Sequence, residues 1–307
     1  MAEGPLLAIV GPTASGKTTA ALEVAQALDA EIVSVDSMLL YRGMNVGTAK
    51  PSPAERARVP HHLIDVIEPD EPFSVARYQQ LAREAIDGIW GRGHRVLLVG
   101  GSGLYFRAVV DDLAFPSTDP ATRRELELEA AALGSERMYA RLADLDPVAA
   151  GRIEPDNVRR TVRALEVAVT TGRPFSSFAE GWETYATEGI RAAGIDVPRV
   201  VLDRRIRARV DGMMASGFLD EVRGLLERGA PRFLTSGQAI GYAELARHLR
   251  GETTLEDAIA STVKRTRALA RRQLAWFRRD PRIRWFPVGD AGAPAVVHDL
   301  TRYLRDG

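Results

Sequence analysis

The sequence predicts an α/β fold, a parallel sheet flanked by helices, with a helical insertion. Apolar strand-like segments alternate with helix-like segments in residues 1–115, and the alternation resumes in residues 198–307. Residues 116–197 contain helical segments, including 122–134 and 157–172, but no convincing buried strand. We therefore predict a core domain built from the two outer segments and a helical insertion domain between them.

The first part of the core supplies three strands and two helices. Leu6–Val10 is an uninterrupted apolar run, which is typical of a buried strand, and residues 18–29 have the 3.6-residue apolar spacing of a helix. Residues 31–36 predict a second strand, 73–93 a second helix and 95–101 a third buried strand. Strands that alternate with helices favour a parallel sheet covered on both faces.

The second part of the core predicts two more strands and three helices. Residues 199–203, with the sequence RVVLD, predict a strand. Long helical patterns follow at 205–228, 238–250 and 255–279, and residues 285–288 predict the last strand.

Composition excludes several classes of protein. The 41 basic and 41 acidic side chains cancel, so any nucleic-acid surface must be local. The absence of cysteine excludes disulfides, cysteine-type zinc sites and a thiol nucleophile. The run Leu6–Val10 is too short for a signal peptide, and no segment approaches the ~18 apolar residues of a membrane span. We expect a soluble, cytoplasmic protein, and because no heptad seam is visible we expect a monomer.

A phosphate-binding motif follows the first strand. GPTASGKT fits the pattern G-x-x-x-x-G-K-[ST] and lies between a strand and a helix, which predicts a P-loop NTPase-like core. Lys17 can reach a terminal phosphate, and the Thr18 hydroxyl can bind Mg²⁺. A nucleotide and a diphosphate would be held equally well, and a chance glycine-rich turn is the alternative. The predicted phosphate-binding residues are Gly11, Pro12, Thr13, Ala14, Ser15, Gly16, Lys17 and Thr18.

The acidic residue expected near these phosphates does not follow the third strand. That strand ends in Gly100 and Gly101, and Ser102 provides the only side-chain hydroxyl there. The acid instead follows the second strand, as Asp36. A carboxylate at this place can face an attacking group across the phosphate loop and accept its proton. A helix N-cap or an outer ligand of magnesium is the alternative role.

Several longer segments resemble one enzyme family, the tRNA dimethylallyltransferases, also called tRNA isopentenyltransferases. The matching segments, in the order of that family, are GPTASGKT, DSMLLYRGMNVGTAKP, PHHLIDVIEP, FSVARY, VGGSGLYFRA, VRRTVRALEV, IGYAEL and RRQLAWFRRD. The family moves a dimethylallyl group from its diphosphate to N6 of the adenosine 3′-adjacent to the anticodon. The resemblance implies that the phosphate loop holds a leaving diphosphate, with Mg²⁺ as cofactor and the tRNA anticodon stem-loop as partner.

The resemblance also implies roles for individual residues. Asp36 accepts the N6 proton, Lys17 and Thr18-bound magnesium stabilise the leaving group, and Ser102 keeps the hydroxyl of the threonine usual in the family. Leu39 and Arg159 replace glutamines that are usual there, so base recognition by those glutamines is not carried over. Arg123 matches an arginine that touches tRNA, and an ordinary solvated helix charge is its alternative role. The implied tRNA-binding residues are Asp36, Ser37, Met38, Leu39, Ser102, Arg123, Arg159, Arg160, Thr161, Val162 and Arg163.

A basic segment lies near the C-terminal end of the chain. Residues 264–284 contain nine basic residues and one acidic residue. Within it Lys264, Arg267, Arg271 and Arg278 fall on one helical stripe, which favours contact with RNA phosphates. A solvated face on a core helix is the alternative.

Two adjacent histidines, His61 and His62, suggest a metal site at first sight. No third ligand occurs at a suitable spacing, so we predict a loop that enters a strand, with one of the two histidines packed or hydrogen-bonded.

Two other functions use the same features. A small-molecule or nucleoside kinase would use the same phosphate loop and could use Asp36 to deprotonate a hydroxyl. A nucleotide-dependent RNA-binding switch would bind without modifying any base. The sequence also leaves open whether ATP occupies the phosphate loop.

Overall fold

The computed structural model describes residues 4–111, 113–182, 184–186, 188–228, 239–289 and 292–306. The chain forms two compact units. The first, the sheet unit, comprises Met1–Val110 and Ala186–Gly307, and the second, the helical unit, comprises Asp111–Tyr185. Across the described residues, none of the helices combines the length and the apolar character needed to span a membrane.

Six strands and thirteen α-helices are described. The strands are β1 (Leu6–Val10), β2 (Ala30–Ser34), β3 (His61–His62), β4 (Arg95–Gly100), β5 (Ile190–Asp196) and β6 (Ile283–Pro287). The helices are α1 (Lys17–Leu28), α2 (Pro53–Arg58), α3 (Val75–Gly91), α4 (Gly103–Val110), α5 (Pro120–Leu133), α6 (Ser135–Leu145), α7 (Pro147–Ala150), α8 (Val158–Thr171), α9 (Arg199–Ala215), α10 (Phe218–Glu227), α11 (Tyr242–Leu249), α12 (Leu255–Phe277) and α13 (Val297–Asp306).

The sheet has the strand order β3-β2-β4-β1-β5-β6, and every neighbouring pair is parallel. Buried side chains cover both of its faces: Val33 and Leu98 belong to one apolar cluster, and Ile9 and Leu97 belong to the other. This confirms the predicted α/β class with a parallel sheet. The carboxyl ends of parallel strands share one edge, so the loops after β1, β2 and β4 meet there.

The prediction of a strand at residues 199–203 is wrong. These residues form the first turn of α9, which starts directly after Pro198, and the strand lies earlier, at Ile190–Asp196. The strand escaped prediction because Ala192, Ala193 and Gly194 have low β propensity. The glycine has a structural reason, since a Cβ on Gly194 would lie 2.6 Å from the Trp285 ring on β6.

Two helix predictions also differ from the structure. The single helix predicted at 205–228 is two helices, α9 and α10, separated by Ser216 and Gly217. The helix predicted at 238–250 is α11, Tyr242–Leu249, and position 238 lies outside the described residues.

The helical unit contains α5 to α8 around its own apolar core, which includes Leu126, Met138, Leu142 and Leu165. Its described residues contain helices and no strand. Its bounds, Asp111–Tyr185, differ from the predicted insertion at 116–197, because β5 pairs with β1 and belongs to the sheet unit.

Candidate active site

The phosphate loop joins β1 to α1 as predicted. Gly16 has the left-handed backbone (φ +89°) and precedes α1, and no side chain caps the first N–H groups of that helix. A Cβ on Gly11 would lie 3.2 Å from the Ile195 carbonyl oxygen on β5, so the loop passes close to the sheet. Uncapped N–H groups at a helix N-terminus bind anions, because they point along the positive end of the helix dipole.

Lys17 is the first residue of α1 and points back over this loop. Its Nζ donates a hydrogen bond to the Pro12 carbonyl oxygen at 3.1 Å. Burial lowers the pKa of Lys17 to about 8, although the nearby charge of Asp36 acts in the opposite direction, and Arg209 lowers it further. A half-buried ammonium beside uncapped N–H groups is suited to a multiply charged anion.

Asp36 follows β2, at the same edge of the sheet. Its Oδ1 accepts a hydrogen bond from the Met38 backbone N–H at 2.9 Å, which fixes the carboxylate at the start of the loop. No described helix begins at Asp36, so the side chain does not act as an N-cap.

A cavity of about 330 Å³ brings these groups together; we call it the first cavity. All of its lining residues belong to the sheet unit. It is lined by residues of the phosphate loop (Thr13, Lys17, Thr18), by Asp36 and the residues after it (Ser37, Met38, Leu39), and by residues of α9 and α12 (Ile206, Arg209, Met213, Leu269, Arg272, Gln273). The first cavity therefore combines an anion site, a carboxylate and an apolar wall.

The loop that follows Asp36 is held in place by Glu221 on α10, which is far away in the sequence. The Glu221 carboxylate accepts hydrogen bonds from three consecutive backbone N–H groups, those of Asn45 and Val46 at 2.8 Å and of Gly47 at 3.1 Å. It also accepts a hydrogen bond from the Tyr242 hydroxyl at 2.6 Å. This loop has little regular secondary structure, so these contacts fix its position.

Among the residues of the first cavity that were not predicted from the sequence, two interact with the predicted groups. Arg209 on α9 is half-buried, and burial lowers its pKa while the charge of Asp36 opposes that shift. Gln273 on α12 accepts a hydrogen bond from the Thr13 N–H at 2.8 Å, and its Nε2 lies 2.4 Å from where a Cβ on Gly101 would stand. Gln273 belongs to the segment RRQLAWFRRD, whose resemblance to the family was the one sequence signal that could have identified this residue. Nothing in the local sequence distinguishes Arg209 from the other arginines of α9.

Ser102 lies at the start of α4. Its Oγ accepts a hydrogen bond from the Tyr105 N–H at 3.5 Å, and its own N–H donates to the Val35 carbonyl oxygen at 3.2 Å. The side chain is half-buried and is not among the residues that line the first cavity. Its role in the reaction stays a prediction.

The other predicted tRNA-binding residues lie in the helical unit. Arg123 donates to the fully buried Glu166 from Nε at 3.0 Å and from Nη2 at 2.5 Å. Arg163 pairs with the same carboxylate at 3.0 Å. Arg123 is therefore ion-paired with a buried carboxylate while 37% of its side chain stays exposed, and its contact with tRNA stays a prediction.

The segment of α8 predicted to contact tRNA divides into two groups by exposure. Arg159 and Arg160 are exposed. The side chains of Thr161 and Val162 are buried, and Val162 belongs to the apolar core of the helical unit. Contact of this segment with tRNA stays a prediction.

Both histidines are hydrogen-bonded, whereas the sequence predicted a packed or hydrogen-bonded role for one of them. His61 contacts the Val59 carbonyl oxygen through Nδ1 at 2.7 Å, and His62 contacts Glu31 through Nε2 at 2.6 Å. Within the described ranges, no group of three or more histidine, cysteine, aspartate or glutamate side chains is arranged to hold a metal ion.

Comparison with known proteins places the whole chain beside one family. Residues 39–280 match the family model described as IPP transferase. The chain is 50% identical over 291 residues to a tRNA dimethylallyltransferase of Desulforudis audaxviator, covering 94% of each chain. It is 52% identical over 311 residues to a tRNA dimethylallyltransferase of Moorella thermoacetica, covering 98% of this chain and 94% of that protein.

Solved structures agree with the sequence comparison. The tRNA isopentenylpyrophosphate transferase of Bacillus halodurans is 40% identical, with a TM-score of 0.72 and coverage of 99% of this chain and 96% of that one. A eukaryotic dimethylallyltransferase acting on tRNA is 26% identical, with a TM-score of 0.77 and coverage of 94% of this chain and 75% of that one.

Proposed function

This chain belongs to the IPP transferase family, and on that basis we propose that it is a tRNA dimethylallyltransferase. It transfers a dimethylallyl group from dimethylallyl diphosphate to N6 of the adenosine 3′-adjacent to the anticodon, and it releases diphosphate. One observation carries the proposal: the half-buried cation Lys17 and the carboxylate of Asp36 line the same cavity of about 330 Å³. A diphosphate bound at the loop therefore has a proton acceptor within the same enclosed space.

The phosphate loop stabilises the leaving group. As the bond between the allylic carbon and oxygen breaks, negative charge builds on the diphosphate and the allylic carbon becomes cation-like. Lys17 and the uncapped N–H groups of α1 lie where that charge develops. Arg209 lines the same space from α9 and supplies a second fixed positive charge. Preorganised charge of this kind is generally the largest contribution to catalysis of such a step.

Magnesium fits the residues present. The Thr18 hydroxyl and the Asp36 carboxylate are oxygen donors that line one cavity, and oxygen ligands are those that Mg²⁺ prefers. Ser34 is another lining residue, and its buried Oγ has no hydrogen-bond partner among the described residues. We propose that Thr18 binds the ion directly. When bound, the ion neutralises part of the diphosphate charge.

Asp36 acts on the nucleophile. Adenine N6 is a poor nucleophile because its lone pair is delocalised into the ring. As N6 forms its bond to the allylic carbon and the carbon–oxygen bond breaks, one N6 proton passes to the Asp36 carboxylate and diphosphate leaves. A positioned base of this kind contributes on the order of 100-fold or more to the rate.

The adenosine must leave the stack of the anticodon loop to reach this carboxylate. Met38 and Leu39 provide apolar surface beside Asp36, against which a purine can pack. Leucine has no hydrogen-bonding side chain, so Leu39 contributes shape and not base-edge recognition.

Nucleoside mass spectrometry tests the proposal. tRNA incubated with the protein, Mg²⁺ and dimethylallyl diphosphate should yield N6-(dimethylallyl)adenosine. In Asp36→Ala, single-turnover kinetics should show a chemical step slowed by about 100-fold or more, with affinity for both substrates retained. Asp70→Ala, which replaces an exposed aspartate outside the first cavity, serves as the matched control. An unchanged chemical step in Asp36→Ala would reject the base assignment.

The kinase alternative makes a different prediction. A kinase would transfer label from the γ-phosphate of ATP to a small molecule and would form no prenylated nucleoside in tRNA. That result would overturn this proposal. Binding of tRNA without any modified base would indicate the RNA-binding switch.

A further inference from the structure

Helix α12 separates two cavities of the sheet unit. Arg272 and Gln273 face the first cavity, whereas Arg271 and Leu274 line a second one of about 490 Å³. This second cavity lies beside the carboxyl ends of β5 and β6, where Asp196 and Pro287 end their strands. Nothing in the reaction described above uses it.

The second cavity carries an excess of positive charge. Its charged lining residues are Arg199, Arg267, Arg271 and Arg278 against Asp196 and Asp203. Four guanidinium groups against two carboxylates leave a net charge of +2. A ligand that neutralises this positive charge is therefore an anion.

The carboxylates do not satisfy all four arginines. Arg278 donates to Asp196 at 3.2 Å, and Arg267 lies 3.5 Å from Asp203. Arg199 reaches Asp203 only at 4.0 Å, and Arg271 has no ion pair or hydrogen bond with any described residue. The Nε of Arg267 is the atom that faces Asp203 in this ion pair, and it makes no hydrogen bond in the described part of the chain. Arg271 is therefore the guanidinium of this cavity whose charge is least compensated by the described residues, and an anionic ligand oxygen beside it would form a charge-assisted hydrogen bond.

The floor of the second cavity is apolar. Leu202 from α9 and Ala270 and Leu274 from α12 line it below the guanidinium groups. A ligand that suits this arrangement has a flat or apolar part next to an anionic part. A nucleotide has this chemistry, and a cavity of about 490 Å³ falls in the size range of small-molecule sites.

We propose that the second cavity binds one nucleotide of the RNA substrate, with its phosphodiester on Arg271 and Arg267 and its base or ribose on the apolar floor. The inference rests on the proposed function, because it takes RNA as the substrate. A phosphodiester fits the guanidinium of Arg271 as a single negative charge, whereas a free triphosphate carries several charges that are typically held by a glycine-rich loop, and the described lining residues of this cavity contain no such loop. The site anchors the strand on the far side of α12 from the reacting adenosine.

The test measures tRNA affinity without dimethylallyl diphosphate, across a series of salt concentrations. In Arg271→Gln we expect about 3- to 10-fold weaker tRNA binding, and a salt slope reduced by about 0.7 to 0.9, as for the loss of one phosphate contact. Arg271→Lys should keep the salt slope, since the charge remains. Turnover at saturating tRNA and the KM for dimethylallyl diphosphate should not change. Arg302→Gln, an arginine on α13 outside both cavities, is the matched control.

Two results of this experiment would overturn the proposal. Equal tRNA affinity and salt slope in wild type and Arg271→Gln, with equal thermal stability, would overturn the proposal. If Arg271→Gln instead weakens binding of free ATP and leaves tRNA binding unchanged, the cavity belongs to a free nucleotide and the proposal is also overturned. Because the assay needs no prenyl transfer, its outcome is separate from failure of the wild-type protein to form the modified nucleoside.

Discussion

The side-chain oxygen of Gln273 accepts a 2.8 Å hydrogen bond from the backbone N–H of Thr13, and the two residues are 260 positions apart in the chain. The bond ties α12 to the phosphate loop. The loop therefore depends on a C-terminal helix for its shape as well as on its own glycines.

Replacing Gln273 by leucine should weaken the diphosphate site. The Thr13 N–H would lose its acceptor at a partly buried place, which costs about 1–3 kcal/mol. We expect the KM for dimethylallyl diphosphate to rise by about 5- to 100-fold, with a smaller change in kcat. Gln273→Glu keeps an acceptor and should restore part of the loop geometry, although its charge repels the ligand. Steady-state kinetics decide, and an unchanged KM in Gln273→Leu would contradict the role.

Diphosphate binding should weaken as the pH rises above about 8. The pKa of Lys17 is lowered to about 8 by burial, so the side chain is charged below that pH and loses its proton above it. The affinity for dimethylallyl diphosphate should fall by up to about tenfold for each pH unit from 8 to 10. Terminal phosphates are already ionised there, since their second pKa is about 6.

Calorimetric titration across pH 7–10 measures this dependence. Lys17→Arg is the control, because arginine stays charged over the whole range and should flatten the profile. The same pH slope in both proteins would assign the titration to another group.

Removing Glu221 should loosen the loop that follows Asp36. In Glu221→Ala, three backbone N–H groups and the Tyr242 hydroxyl lose their common acceptor. We expect kcat to fall on the order of 10- to 100-fold, because a small displacement of the cavity wall misplaces the reacting groups. Hydrogen exchange should accelerate at residues 45–47.

Tyr242→Phe removes only one of these hydrogen bonds and should have a smaller effect on both readouts. If exchange at residues 45–47 stays slow in Glu221→Ala, the loop has another support and the prediction is wrong.

Glu166→Gln should destabilise the helical unit. The buried carboxylate holds Arg123, Arg163 and the Asp119 N–H, and an amide cannot accept from all of them. We expect a loss of about 1–3 kcal/mol in the free energy of unfolding, measured by denaturant titration or by hydrogen exchange within 111–185. Glu129→Gln, an exposed pair with Arg141, should change stability by less than about 1 kcal/mol. Equal effects of the two substitutions would contradict the structural role of Glu166.

The predictions from sequence were correct where the determining contacts are local. The phosphate loop and its flanking strand and helix were placed correctly because the glycines, Lys17 and Thr18 act within a few residues of each other. Strand β5 was missed because Ala192, Ala193 and Gly194 have low β propensity, and Gly194 is required there by the close approach of Trp285 and Ile283 on a neighbouring strand. Arg209 and Gln273 reach the first cavity through tertiary packing of α9 and α12, which no local pattern encodes.

The solvent exposure of individual side chains could not be predicted from the sequence either. The resemblance placed Thr161 and Val162 in a contiguous run with three arginines, but a helix turns by about 100° per residue, so neighbours face different surroundings. Only the packing of α8 in its own unit separates the buried pair from exposed Arg159 and Arg160.

The placement of α12 between the two cavities restricts how this protein can evolve. Arg271 and Arg272, and likewise Gln273 and Leu274, are adjacent in sequence but serve opposite compartments. One inserted or deleted residue upstream within the helix would rotate everything beyond it by about 100° and exchange those assignments. Homologues should therefore differ in this segment by substitution and keep its length constant, whereas length variation accumulates in the connections at either end.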